Sequence, residues 1–146
     1  MITAQLAKRN DPAGAGHFGA PRGDRTHKGQ DYACVPGAHI LAPVPPDQIW
    51  SVTKIGYPYA SGEGGANSPQ PHYRYIEVTD LNGRRHRVFY VKPKVTEKEL
   101  VTSRTIIGAA QDVTARYPQY PAMTPHVHYE IMLPDDSCID PEGPLG

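Results

Sequence analysis

The chain lacks an excess of charge of either sign: fifteen Lys and Arg stand against fifteen Asp and Glu in 146 residues, for a formal net charge of zero at pH 7. Without a basic field there is no counterion release to hold a polyphosphate, which excludes nucleic acid as a main partner. No apolar run approaches the roughly 20 residues that a membrane span needs. Residues 1–10 lack the apolar core of a secretory signal, so the expectation is a chain made in the cytoplasm without an export signal. Cysteine is scarce too. Cys34 and Cys138 allow one internal bridge, which would close a loop of about 100 residues and add about 4–5 kcal/mol. Sequence leaves the pairing open, with two separate thiols the preferred reading.

What the chain has is turn chemistry between short apolar runs. Fourteen glycines and sixteen prolines are spread through it without a repeat, which signals many turns in one folded unit. The length suits a single domain. We divide it into an N-terminal extension, residues 1–15, and a domain, residues 16–146. Six runs rich in Val, Ile, Tyr and Thr read as strands: residues 39–44, 48–55, 73–80, 84–91, 105–109 and 127–133. Residues 57–71 read as a long surface loop, and only residues 96–104 offer a helical turn or two. The fold class expected is all-β, an antiparallel sheet domain with long loops and little helix.

Asn82-Gly83 marks a hairpin, and a two-residue type I′ turn there pairs Leu81 with Arg84. That register sets Ile76 opposite Phe89 and Tyr75 opposite Tyr90. It gives Ile76, Val78, Phe89 and Val91 one face, expected in the core, and Tyr75, Tyr90 and Lys92 the other.

Two short motifs carry candidate chemistry. His126-Val127-His128 lies on a run that reads as a strand, where period 2 aims both imidazoles to one side. His27 and Asp31 are separated by three residues that include Gly29, which points to a loop entering a strand. Each spacing is close to chance alone. Together, His27, Asp31 and His128 form a two-His, one-carboxylate set that suits Zn²⁺ with a fourth position left to water.

The ordered string His27-Lys28-Gly29-Gln30-Asp31, Pro36-Gly37-Ala38-His39-Ile40-Leu41-Ala42-Pro43-Val44, Ile106-Ile107-Gly108, Pro125-His126-Val127-His128-Tyr129-Glu130-Ile131 and Ile139-Asp140-Pro141 resembles the landmarks of the lysostaphin/LytM-type zinc endopeptidases. That resemblance implies a β-sheet groove centred on zinc held by His27, Asp31 and His128. It makes His126 the proton-transfer residue, and hydrolysis of peptidoglycan stem or cross-bridge peptides the reaction. Where the family carries a second catalytic His, this chain has Lys92, which we take as a second catalytic candidate, an oxyanion-steadying cation or a base. The string Phe89-Tyr90-Val91-Lys92-Pro93 is similar to leukocyte cell-derived chemotaxin, a relative regarded as a signalling protein, which implies a second reading as a zinc-stabilised binding module. Tyr57, Tyr59, Tyr73, Tyr75 and Tyr90 are candidates to line the groove, and Arg22 and Arg25 to steer a substrate carboxylate. For a wall hydrolase without an export signal, action in the periplasm or on the wall follows lysis or specialised secretion, with delivery machinery or an immunity protein as further partners.

Overall fold

The computed structural model describes residues 7–11, 14–22, 25–59 and 72–143. In chain order the strands are β1 (Asn10–Asp11), β2 (Gly14–Ala15), β3 (Pro21–Arg22), β4 (Arg25–Thr26), β5 (Gln30–Ala33), β6 (His39–Leu41) and β7 (Trp50–Gly56). There follow β8 (Tyr75–Thr79), β9 (Arg85–Phe89), β10 (Val91–Pro93), β11 (Leu100–Val101), β12 (Ile106–Ala110), β13 (His126–Met132) and β14 (Cys138–Ile139). All strand pairings are antiparallel. The main sheet runs β11-β7-β8-β9-β13-β14 with β5 also on β13, a second sheet runs β10-β12-β6, and β1-β2 and β3-β4 form small ribbons. The all-β expectation is met, and each of the six expected runs contains a strand.

Residues 96–104 do not form a helix. Lys98 takes a positive φ of 74°, its N–H bonds the Val52 carbonyl and the Val52 N–H bonds Glu99, so this stretch lies along the edge of β7. The helical geometry among the described residues is a 3-10 turn at Val113–Arg116, capped by the Asp112 carboxylate. Of the expected loop at residues 57–71, residues 60–71 lie outside the described residues, as do residues 1–6 of the expected extension. Residues 7–11, within the expected extension, run along the edge of β5 that β13 leaves open: the N–H of Arg9 bonds the Asp31 carbonyl, and the N–H of Ala33 bonds the Ala7 carbonyl. Cys34, buried, and Cys138, half-buried, are free thiols.

The hairpin differs from expectation by one register step. Tyr75 faces Phe89 and Ile76 faces Val88, because the turn holds three residues and only Gly83 has positive φ, at 78°. Asp80 drives this choice: its carboxylate accepts from the N–H groups of Asn82 and Arg84, which stabilises a type I turn with a glycine bulge over a two-residue turn. Phe89 therefore leaves the core face, and Val88 and His86 join Ile76 and Val78 there.

Strand β13 organises the rest. Val127, Tyr129 and Ile131 are buried in the core, while His126, His128 and Glu130 alternate onto the opposite face. Each aliphatic side chain so buried contributes about 1.5–3 kcal/mol, which holds the register. Strand β5 approaches β13 through Gly29, where an added Cβ would stand 2.2 Å from the Tyr129 carbonyl oxygen. Gly29→Ala should force these strands apart and cost about 1–3 kcal/mol, read as a lower denaturant midpoint.

Candidate metal centre

Register brings the motifs together. On β13, His128 lies directly opposite Asp31 of β5 on one side and Phe89 of β9 on the other. His27 follows β4 and is held there by backbone bonds between its N–H and the Ala20 carbonyl and between Gly19 N–H and its own carbonyl. His27 Nε2 stands 3.2 Å from Asp31 Oδ1 and 2.9 Å from His128 Nδ1, and His128 Nδ1 stands 2.8 Å from Asp31 Oδ1. Three candidate ligand atoms thus converge on one point.

The donor set fits zinc. A tetrahedral ion with bonds of about 2.0–2.1 Å separates its ligand atoms by about 3.3 Å, close to these edges. The outer faces of the imidazoles are also fixed, as metal-ligating histidines require. His27 Nδ1–H donates to the His17 carbonyl at 3.0 Å, and His128 Nε2–H donates to Glu130 Oε1 at 2.9 Å. Each bond leaves the inward nitrogen as the one whose lone pair a metal would take. Asp31 divides its oxygens: Oδ1 faces the imidazoles, while Oδ2 accepts from Arg9 Nη1 at 3.0 Å. Arg9 is itself buried and bonds Asp11, whose carboxylate accepts from the Thr124 N–H two residues before His126.

His126 sits beside this cluster, its Nε2 3.6 Å from Asp31 Oδ2 and its Nδ1–H donating to the Thr124 carbonyl at 2.7 Å. These groups line a cavity of about 460 Å³ whose wall includes Tyr59, Tyr90 and Tyr117. Lys92 is not brought there. It is exposed on β10, paired with Ala109 in the second sheet, and absent from the cavity lining. Tyr90 with a positive φ of 71° is the reason, because it breaks the alternation that gave Tyr90 and Lys92 a common face. Of the other tyrosines considered, Tyr73 and Tyr75 are buried and Tyr57 lies under the Arg74 guanidinium. The side chains of Arg22 and Arg25 lie outside what is described. His86 faces the core, donating to Asp80 and accepting from the Tyr129 hydroxyl.

Sequence reasoning gave no role to Arg9, Glu130 or Tyr117. Glu130 was visible in the alternation His126-His128-Glu130; Arg9, 22 residues before its partner, left no local signal.

Burial opposes ionisation of Asp31, yet hydrogen bonds from His128 and His27, with the charges of His128 and His126, hold its carboxyl well below the usual range. Burial likewise opposes the His128 imidazolium, but the bonds to Asp31 and Glu130 raise it to about 9. Burial lowers the pKa of His126 against the opposing pull of Asp31. In the metal-free protein below pH 9 a proton therefore occupies His128, and a metal ion must displace it. Zinc uptake at pH 7 should release about one proton. The apparent affinity should rise about tenfold per pH unit and flatten near pH 9, measured by calorimetry in buffers of different ionisation enthalpy. Glu130→Gln should weaken zinc binding about 10- to 100-fold.

No family model matches the chain, nor does any curated protein. Solved structures do. The catalytic domain of the antimicrobial peptidase lysostaphin from Staphylococcus simulans is similar at 20% identity and a TM-score of 0.64, over 93% of this chain and 89% of that one. A variant of the catalytic domain of the prophage-encoded M23 protein EnpA from Enterococcus faecalis gives 18% identity and a TM-score of 0.64, over 100% of this chain and 96% of that one. A zinc-containing peptidase from Vibrio cholerae gives 18% and 0.58, over 90% of this chain and 35% of that one. With the antiparallel sheets and the convergence of His27, Asp31 and His128, this likeness gives the chain the fold of the lysostaphin/LytM-type M23 peptidases.

Proposed function

We propose that this protein is a zinc-dependent endopeptidase that hydrolyses peptide bonds in bacterial peptidoglycan. The observation that carries the reading is the triangle of His27 Nε2, Asp31 Oδ1 and His128 Nδ1, with edges of 2.8–3.2 Å, set in a cavity large enough for a peptide segment. Zinc held by these three groups supplies Lewis acidity, activating water and polarising the scissile carbonyl. His126 does the proton work. Anchored through Nδ1–H to Thr124 and kept neutral at pH 7 by burial, it presents Nε2 as the acceptor for the proton of the attacking water, then returns that proton to the leaving nitrogen. Support for the substrate class comes from the resemblance to cell-wall endopeptidases and from the antimicrobial peptidase among the similar structures. Such an enzyme meets its substrate in the periplasm or on the wall, after lysis or specialised secretion, and delivery machinery or an immunity protein are its further partners.

Lys92 favours a second reading, a zinc-stabilised module that binds a peptide without cutting it, because the position of the family's second catalytic His is exposed here. Mass analysis of fragments released from purified sacculi separates the two: the peptidase frees cross-linked or stem peptides and loses this activity to a chelator, and the binding module frees none. His126→Ala should retain zinc while lowering kcat about 10²- to 10⁴-fold; full retained activity would falsify the role of His126. Lys92→Ala should leave kcat and KM unchanged.

A further inference from the structure

Peptide hydrolysis needs a donor for the carbonyl oxygen as negative charge develops on it. This inference rests on the peptidase reading above, in which neither Lys92 nor His126 fills that place: Lys92 is in solvent, and His126 is engaged at Nδ1–H by Thr124 and at Nε2 by the proton it carries from water to the leaving nitrogen. The cavity wall holds a different group. Tyr90 lines it with its ring edge-on to His126, centroids 6.0 Å apart. Its hydroxyl accepts from Tyr59 at 3.4 Å, a long contact for O–H···O, and among the described residues no hydrogen bond from the Tyr90 hydroxyl to an acceptor is found. Among the described residues its proton is thus left without an acceptor at the cavity wall.

The backbone at Tyr90 is unusual in the same direction. A bulky residue with φ of 71° is rare, and such strain concentrates at functional sites. It is held by bonds from the N–H groups of Tyr90 and Val91 to the Arg74 carbonyl and from Gln111 N–H to the Tyr90 carbonyl. Tyr73 packs edge-on against the ring at 5.9 Å, so ring and hydroxyl are fixed before substrate arrives. Tyr59 is in turn braced by the Arg116 guanidinium 3.7 Å above its ring and by the Tyr117 hydroxyl. Burial raises the Tyr90 pKa, which keeps the proton on oxygen.

We propose that Tyr90 is a catalytic residue that donates a hydrogen bond from its hydroxyl to the scissile carbonyl oxygen, most strongly in the tetrahedral transition state, with Tyr59 and Tyr117 positioning it. Tyr90 keeps its proton throughout, so it enters and leaves each turnover unchanged. A neutral donor fits beside a divalent cation, where an ammonium would be repelled.

The test compares wild type with Tyr90→Phe, which retains the ring and its packing. Zinc content and melting temperature should hold. On defined muropeptides kcat should fall about 10²- to 10³-fold with KM within about threefold. In a second arm, without turnover, the zinc-loaded proteins are titrated with a phosphinic pseudopeptide, whose tetrahedral anion imitates the transition state. Affinity should fall at least about tenfold in the variant. Unchanged kcat, a loss confined to KM, or a loss of zinc or stability that accounts for the rate overturns the proposal. A wild type that cleaves nothing sinks the peptidase reading, and the titration alone then decides on Tyr90: weaker binding by the variant upholds the donor, while equal binding or none by either protein overturns it.

Discussion

The cross-strand pair of His128 and Asp31 is the contact on which the rest of the site depends. Its two side chains meet because β13 and β5 pair in one register, and a slip of one residue would exchange His126, His128 and Glu130 for Val127, Tyr129 and Ile131 on the same face. Ligand atoms alone do not hold that register, since their lone pairs meet without repulsion only while a proton, as on His128, or a cation joins them. The opposite face of the strand does. With Val127, Tyr129 and Ile131 buried, a one-residue slip would turn all three out of the core, so the apolar face fixes which side chains of β13 face the centre.

Buried charge is the complementary constraint. Asp31 is almost fully enclosed, and an unpaired carboxylate there would carry a large desolvation cost. Arg9 offsets it from the rear, and by engaging Oδ2 it leaves Oδ1 as the oxygen turned to the imidazoles. The same guanidinium binds Asp11, and Asp11 ties down the backbone before His126. One short segment, residues 7–11, thus connects Asp31 to the backbone before His126.

Local alternation made much of this legible. The run from His126 to Ile131 announces two faces with period 2, and the resulting strand has them; His27 and Asp31 were readable as its complement because Gly29 points to a loop entering a strand, on which the two can converge. Three features were not readable, each for its own reason. Arg9 acts across 22 residues, and nothing near it in the chain signals a partner. The hairpin register turned on Asp80, whose carboxylate bonds to two backbone N–H groups outweigh the preference of Asn-Gly for a two-residue turn. Tyr90 was a candidate for the groove wall and lines it, but the break in the strand there escaped because period 2 assumes an unbroken strand.

That break settles the character of the cavity wall. At Tyr90 the chain leaves the main sheet and enters the second one at β10, and the turn requires a left-handed residue where glycine would be the easy choice. A tyrosine there costs about 1–3 kcal/mol, sustained by the backbone bonds to Arg74 and Gln111 and by burial of Val91. Glycine would relieve the strain but leave no side chain at the wall. In a regular strand residues 90 and 92 would share a side and put an ammonium near the ion-binding point. The kink instead sends Lys92 to water and keeps Tyr90 at the wall, so the group offered to a substrate oxygen is neutral and pre-aligned. A position strained by its own side chain, when the strain serves to aim that side chain, is better explained by chemistry at the cavity than by the demands of the fold.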